Sequence, residues 1–274
     1  MSSGHDFIRM WRDIGRKFLS EAIPILRDQR QEAKVDLYEP IVDEVLGGLF
    51  ARTFRFLHVF VLDYHLWSDD LGRAMLRMTL ESVFYMRFLV QRNEPEVFLA
   101  FQRYGLGHEK LYKMQLRKLV EEGKLENSPD LQSYIDSDSD EEVCDELIDV
   151  RLKNFEDVRK VATDAGMKDD YVLTYQRESL VIHGHWPTLR KYYLQECTDP
   201  LHRGHLQPYF GLPPLNPALF PKMFHLFQLA YKMWIDKYGL EDRLSPLVDK
   251  YFEEIDAAAP TEDVAAANDP DPTP

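Results

Sequence analysis

Large apolar residues recur at three- and four-residue steps through most of this chain, and runs of period-two alternation are missing. That pattern restricts the fold to packed helices. Phe7, Met10, Trp11, Ile14, Phe18 and Ile25 mark one face of a first helix, in which Pro24 is a point for a kink. A second helix is expected from about Pro40, a good first-turn residue, to about Trp67. It is apolar around much of its circumference (Leu46, Leu49, Phe50, Phe54, Leu57, Phe60, Val61, Tyr64), which places it centrally. Ser68-Asp69-Asp70 offers caps for a third helix, about Leu71 to Arg92. Pro95 opens a fourth, about Glu94 to Glu122, with Gly123 as its stop. Ser128 to Asp140 reads as an exposed acidic loop. An amphipathic helix is expected over about Glu141 to Ala165 (Val143, Leu147, Val150, Leu152, Phe155, Val158, Val161), stopped by Gly166. Another runs from about Asp169 to His183 and ends at Gly184, before a loop or turn at His185-Trp186-Pro187. Pro200 to Pro221 is expected to be mostly irregular, and helices over Pro217–Tyr238 and Pro246–Ile255 complete the series. The fold expected is therefore all-α, a helical bundle of about eight helices forming a single domain over residues 1–256. Residues 257–274 are rich in Ala, Pro and Asp, with no large apolar residue beyond Val264, and are expected to form a disordered acidic tail.

The formal net charge is -14. Such a chain does not attract polyanions through its overall field, which excludes broad coating of nucleic acid but leaves room for a local basic site. The imbalance is concentrated in Asp130–Asp149 and in the tail, where Asp256, Glu262, Asp263, Asp269 and Asp271 have no basic neighbour. The two cysteines, Cys144 and Cys197, show no metal or redox spacing, so a reducing compartment and a cytoplasmic location are expected. Met1 to Arg12 lacks the apolar core of a secretory signal. The longest apolar stretch, Phe54 to Leu66, is interrupted by Arg55, His58, Asp63 and His65, and no membrane partner is expected.

Phosphate-cradling and dinucleotide glycine motifs are absent, and Gly47-Gly48 fits close helix packing instead. His-Glu-x-x-His, Glu-x-x-His and Gly-x-Ser-x-Gly are absent too. No cofactor and no metal are expected. His183-x-His185 has no evident third ligand nearby. His202 and His205 suit a solvated loop, and His58 and His65 suit core or interface positions. Ser137 to Glu142 shares only its charge with a calcium loop.

One segment stands apart, Asp170 to Trp186. Tyr175, Ser179 and His183 are spaced by four and share a helix face, and Arg177 precedes His183 with five residues between them. An arginine followed at this spacing by histidine, on a late helix of an all-α chain, resembles the catalytic motif of HEPN-type ribonucleases. The wider pattern is similar to a bacterial family of HEPN-like character known as DUF5677. The shared features are Arg77-Met78-Thr79-Leu80-Glu81 on an early helix and the Tyr175–Gly184 segment, and the resemblance covers roughly Phe50 to Arg190. It implies a HEPN-like core over about residues 40–190 and metal-independent RNA cleavage, with the further helices C-terminal to that core. His183 would be the general acid or base and Arg177 would stabilise the scissile phosphate. Tyr175, Ser179, Arg77, Glu81 and His185 would support them. In the HEPN family the site usually forms across a homodimer, with two Arg/His pairs in one cleft, so the resemblance implies a homodimer and a bacterial defence or toxin-type role. The chain departs from the family pattern directly after Arg177, where Glu178 replaces the usual Asn, Asp or His and brings a negative charge that opposes phosphate.

Plainer readings stand beside these. His183 before Gly184 suits a helix C-cap, and Arg177 suits a surface ion pair. Arg77 and Glu81 form an i,i+4 pair that can face a partner helix or position His183 through a hydrogen bond. The competing function is a helical binding or scaffold protein that holds a nucleotide, RNA or a protein partner without cutting it. A metal-dependent hydrolase built on the histidines is the third class.

Overall fold

A computed structural model describes residues 3–137, 155, 157–201, 204–211 and 213–258. The chain order is α1 (Ser3–Glu32), α2 (Pro40–Leu62), a 3-10 turn (Tyr64–Trp67), α3 (Leu71–Arg92), α4 (Pro95–Glu121), α5 (Pro129–Asp136) and α6 (Val158–Asp164). There follow α7 (Lys168–Asp170), a π turn (Tyr171–Tyr175), α8 (Gln176–Ile182), α9 (Trp186–Tyr192), β1 (Leu194–Glu196), β2 (Leu206–Pro208), α10 (Leu219–Tyr238) and α11 (Ser245–Ala258). Among the described residues the fold is all-α apart from one two-stranded hairpin.

Several boundaries differ from those expected, each for a local reason. α2 stops at Leu62 because the Asp63 carboxylate accepts from the His65 amide and starts a separate 3-10 turn. Part of the expected acidic loop is helical: Ser128 Oγ accepts from the Leu131 amide and Pro129 fills the first turn, nucleating α5. Of the helix expected over 141–165, most lies outside the described residues. Its end is α6, capped by Asp157 through the Arg159 and Lys160 amides and closed at Gly166, whose φ is +71°. Trp186 and Pro187 open α9 rather than a loop, since proline fits a first helical turn. The hairpin pairs Leu194 with Pro208 and Glu196 with Leu206. Strands of three residues are too short to show alternation. The tail from residue 259 lies outside the described residues.

The chain divides into two compact units, one of Met1–Lys34, Phe50–Val83 and Val172–Pro274, the other of Val35–Leu49 and Phe84–Tyr171. In the first, Phe18 of α1 lies among Phe224, Phe227 and Tyr251, with ring centroids 4.9, 6.1 and 5.8 Å away. Trp67 is fully buried, and its indole N–H donates to the Phe60 carbonyl at 2.7 Å. Tyr231 hydroxyl donates to Gln29 Oε1 and accepts from the amides of Arg243 and Leu244, which ties α1, α10 and the start of α11 together. Gly72 lets the first turn of α3 approach closely: a Cβ there would sit 2.5 Å from Leu219 Cδ1 and 2.6 Å from the Leu66 carbonyl oxygen. By length and composition alone α2 could cross a membrane, a test that buried core helices also pass, and its Leu57, Phe60 and Val61 are fully buried.

In the second unit Phe155 packs on Phe88, Phe101 and Tyr104 at 5.4–5.8 Å between ring centroids. Lys113 Nζ donates to the Ser137 carbonyl at 2.8 Å and closes α4 on the end of α5.

Candidate functional site

Asp69, Arg73, Arg77 and Glu81 follow one another at four-residue steps, so they form one polar stripe along the start of α3. The π turn and α8 present a complementary stripe of Tyr175, Glu178 and Ser179. All of these residues belong to the first unit.

Arg73 stands at the centre. Its Nε donates to Asp69 Oδ1 at 2.7 Å, and its Nη1 donates to both oxygens of Glu178 at 2.9 and 3.0 Å. Glu178 is only 1% exposed. Asp69 also accepts from Asn216 Nδ2 and Lys191 Nζ, both at 2.7 Å, and from the Tyr192 hydroxyl at 2.5 Å. Asp70 accepts from Ser68 Oγ at 2.6 Å, from the Leu71 amide at 2.7 Å and from the Tyr193 hydroxyl at 2.9 Å. These two aspartates, expected as helix caps, therefore also anchor α9 and the segment after it.

Burial alone would raise the Asp69 pKa, but hydrogen bonds from Lys191, Tyr192, Asn216 and Arg73 overcome it and hold this carboxyl below its ordinary range. Burial and the bond to Asp70 push Tyr193 up to about 12. The folded Asp69 keeps its charge to lower pH than the unfolded one, whose pKa is about 3.9. Its contribution to stability is present above that value and is lost as pH falls toward the folded pKa. Asp69→Asn is accordingly expected to flatten the acid limb of the stability curve. Denaturant melts between about pH 3 and about pH 6 test this, and an unchanged slope would contradict it.

A second cluster lies along the same stripe. Arg77 donates through Nε to Ser179 Oγ at 2.9 Å and through Nη2 to the Tyr175 hydroxyl at 2.7 Å. The Tyr175 hydroxyl donates in turn to Glu81 Oε2 at 3.0 Å, and Ser179 Oγ donates to the Tyr175 carbonyl at 2.7 Å. The Arg77 guanidinium also lies 4.5 Å from the Tyr175 ring centre. Tyr175, Ser179, Arg77 and Glu81, singled out from the sequence, thus meet in one network that locks α8 to α3.

That network lies inside the residues of a family match. The family model described as a family of unknown function, DUF5677, matches residues 43–200, more than half of the chain. The chain belongs to this family. Comparison with curated proteins and with solved structures finds no match. In this DUF5677 member all the residues of the Arg73 and Arg77 clusters except Asn216 fall within the match.

The residues expected to carry chemistry sit elsewhere on the same helix. Arg177 is exposed, because adjacent residues diverge by about 100° around a helix and Glu178 is the one turned inward. His183 is exposed at the C-cap of α8, its amide bonded to the Ser179 carbonyl at 3.1 Å, and Gly184 follows at φ +59°. The His183 and His185 rings lie 6.0 Å apart. Among the described residues no hydrogen bond joins Arg177 to His183, and the Arg77 cluster hydrogen-bonds Tyr175 and Ser179 rather than His183. Among the described residues no group of three His, Cys, Asp or Glu side chains could hold a metal ion.

Arg73 escaped the sequence reading, as did Lys191, Tyr192 and Asn216 around Asp69. The four-residue repeat Asp69, Arg73, Arg77, Glu81 in a helix otherwise largely apolar was the available signal. Nothing local marks Asn216. Glu178 departs from its expected place: its charge is engaged by Arg73 inside the fold rather than opposing an anion at the surface. As a result the exposed ionisable side chains of residues 176–191 are Arg177, His183, His185, Arg190 and Lys191, with no exposed carboxylate among them.

Proposed function

We propose that this DUF5677 chain is a HEPN-like, metal-independent endoribonuclease that works in the cytoplasm as a homodimer, in a bacterial defence or toxin-type role. The observation that carries the reading is the withdrawal of Glu178 into its pair with Arg73, which leaves the exposed ionisable groups of α8, α9 and the turn between them all basic or imidazole. This local surface suits a phosphodiester in spite of the acidic total charge. Arg177 and His183 are separated by about 9 Å of helix rise. In this reading both side chains engage one phosphodiester across that separation.

The chemistry uses RNA's own nucleophile. The imidazole of His183 accepts the proton of a 2′-hydroxyl, whose oxygen attacks the adjacent phosphorus. The P–O5′ bond breaks, and the leaving oxygen takes a proton from a second imidazole, His185 or the His183 of a second copy. The products are a 2′,3′-cyclic phosphate and a 5′-hydroxyl. Arg177 holds the non-bridging oxygens as their negative charge grows. No cofactor enters this scheme.

The test is cleavage of an RNA oligonucleotide by pure protein in EDTA, beside the same sequence carrying 2′-deoxy sugars. RNA is expected to be cut with cyclic phosphate ends and the deoxy strand left whole. Intact RNA at micromolar protein, or equal cutting of both strands, would sink the reading. A non-catalytic binding or scaffold protein is the second reading. It is favoured by the Arg77, Tyr175, Ser179 and Glu81 cluster, whose polar groups are engaged with one another. Oligonucleotide or protein capture with no product in EDTA would select it.

A further inference from the structure

α9 and the hairpin expose an unusual set of rings. Trp186 is 60% exposed, Tyr193 42%, Tyr209 39% and Phe210 95%. Trp186, in the first turn of α9, leaves most of a large apolar ring open to solvent. Trp186, Arg190 and Tyr193 follow at i, i+4 and i+7, which is one face of α9 and its C-cap. The amide of Tyr209 donates to the Tyr193 carbonyl at 2.9 Å, so the hairpin continues the same line where α9 ends. The Tyr193 ring is held by the bond from its hydroxyl to Asp70. The exposed groups are thus Trp186, Arg190 and Tyr193 on α9 and its C-cap, then Tyr209, tied to Tyr193 through the backbone, and its neighbour Phe210, and they begin directly after His183 and His185 in the chain.

Charge selects the occupant. The carboxylates that hold this part of the chain, Asp69 and Asp70, are buried, and their negative charge is taken up by Arg73, Lys191 and the two tyrosine hydroxyls. Glu196 is exposed, but it pairs with Leu206, two residues along the strand from the Leu194–Pro208 end where Tyr193 and Tyr209 meet. Exposed rings with the Arg190 guanidinium among them, and with Glu196 set along the strand from where Tyr193 and Tyr209 meet, suit a strand whose backbone is anionic and whose bases are unpaired. Duplex RNA keeps its base faces inside the stack and offers them to no ring.

We propose that Trp186, Arg190, Tyr193, Tyr209 and Phe210 form a track that binds single-stranded RNA by base stacking and feeds the strand to Arg177 and His183. This deepens the ribonuclease reading and rests on its assignment of RNA as substrate. Trp186 and Phe210 supply open faces for bases, and Arg190 holds the phosphate between them.

Binding is measured by fluorescence anisotropy in EDTA, with a 2′-O-methylated RNA 12-mer that cannot be cleaved, alone and annealed to its complement. Single strand is expected to bind at least tenfold more tightly than duplex. Trp186→Ala is expected to weaken single-strand binding about tenfold, as loss of one stacked base does. Phe210→Ala should weaken it by a similar factor, while Trp186→Phe, which keeps a ring, should stay within about threefold of wild type. Circular dichroism checks that each variant is folded. Equal binding of duplex and single strand, or wild-type binding by both alanine variants, overturns the track. So does a shift by Trp186→Ala from dimer to monomer in sedimentation at unchanged binding, since that would make the rings a protein interface. Because the probe cannot be cut, tight stacking-dependent binding in a protein that fails to cleave RNA would uphold the track while removing the nuclease assignment.

Discussion

Arg73→Ala is expected to destabilise the folded chain by about 3–5 kcal/mol, a large part of what a domain of this kind has. The guanidinium is almost fully enclosed and donates to two carboxylates, Asp69 and Glu178. The two acids do not lose equally. Asp69 would keep Lys191, Tyr192 and Asn216 as donors. Glu178, almost without solvent contact, receives both its hydrogen bonds from Arg73 alone among the described residues, so it would be left as a buried charge without a counterion. Such a charge costs more than the pair itself contributes. The double variant Arg73→Met with Glu178→Leu should for that reason recover most of the loss, because the stranded charge goes with its partner. An exposed pair such as Lys118 with Glu122 should matter by less than about 1 kcal/mol when broken. Denaturant unfolding of the three variants gives the comparison. A loss below about 1 kcal/mol for Arg73→Ala, or a double variant worse than the single one, would show that Glu178 is not dependent on Arg73.

What the sequence could and could not reveal follows from the range of each interaction. Helix stops are local, and Gly123, Gly166 and Gly184 all adopt positive φ where the sequence placed them as stops. The face shared by Tyr175 and Ser179 is equally local, since it needs only the helical repeat. The partner of that face is not: Arg77 lies 102 residues from Ser179, and Arg73 lies 105 residues from Glu178. Periodicity says that a stripe exists without saying what it meets. The pair Arg177-Glu178 shows the consequence most clearly. Read as neighbours in sequence they share an environment, and Glu178 counts against an anion site. In the fold one faces solvent and the other the interior, so the same glutamate assists the presentation of Arg177 by fixing the rotation of α8. The π turn before α8 contributes to that rotation, and no residue pattern in Tyr171–Tyr175 distinguishes it from an ordinary helical turn. The hairpin and α5 escaped for the opposite reason, since both are too short to carry a period.

RNA cleavage in EDTA is expected to fall by about 10²–10⁴ in His183→Ala, the usual contribution of a positioned general acid or base. Arg177→Ala should lose about 10²–10³, the cost of removing one donor from developing charge. Neither change should unfold the protein. Both side chains are exposed, and His183 takes part in the helix cap through its backbone amide, which alanine retains. Surface substitutions of this kind stay within about 0.5 kcal/mol in stability. Activity lost at unchanged stability therefore separates these two positions from Arg73, where both quantities should fall together. Arg177→Lys distinguishes two roles for the arginine. A lysine supplies the charge without the planar fork, so partial recovery means that Arg177 acts through charge, and none means that paired hydrogen bonds to the phosphate matter. If His183→Ala cleaves at the wild-type rate, the imidazole at the end of α8 is a cap and the nuclease assignment fails, whatever the arginine does.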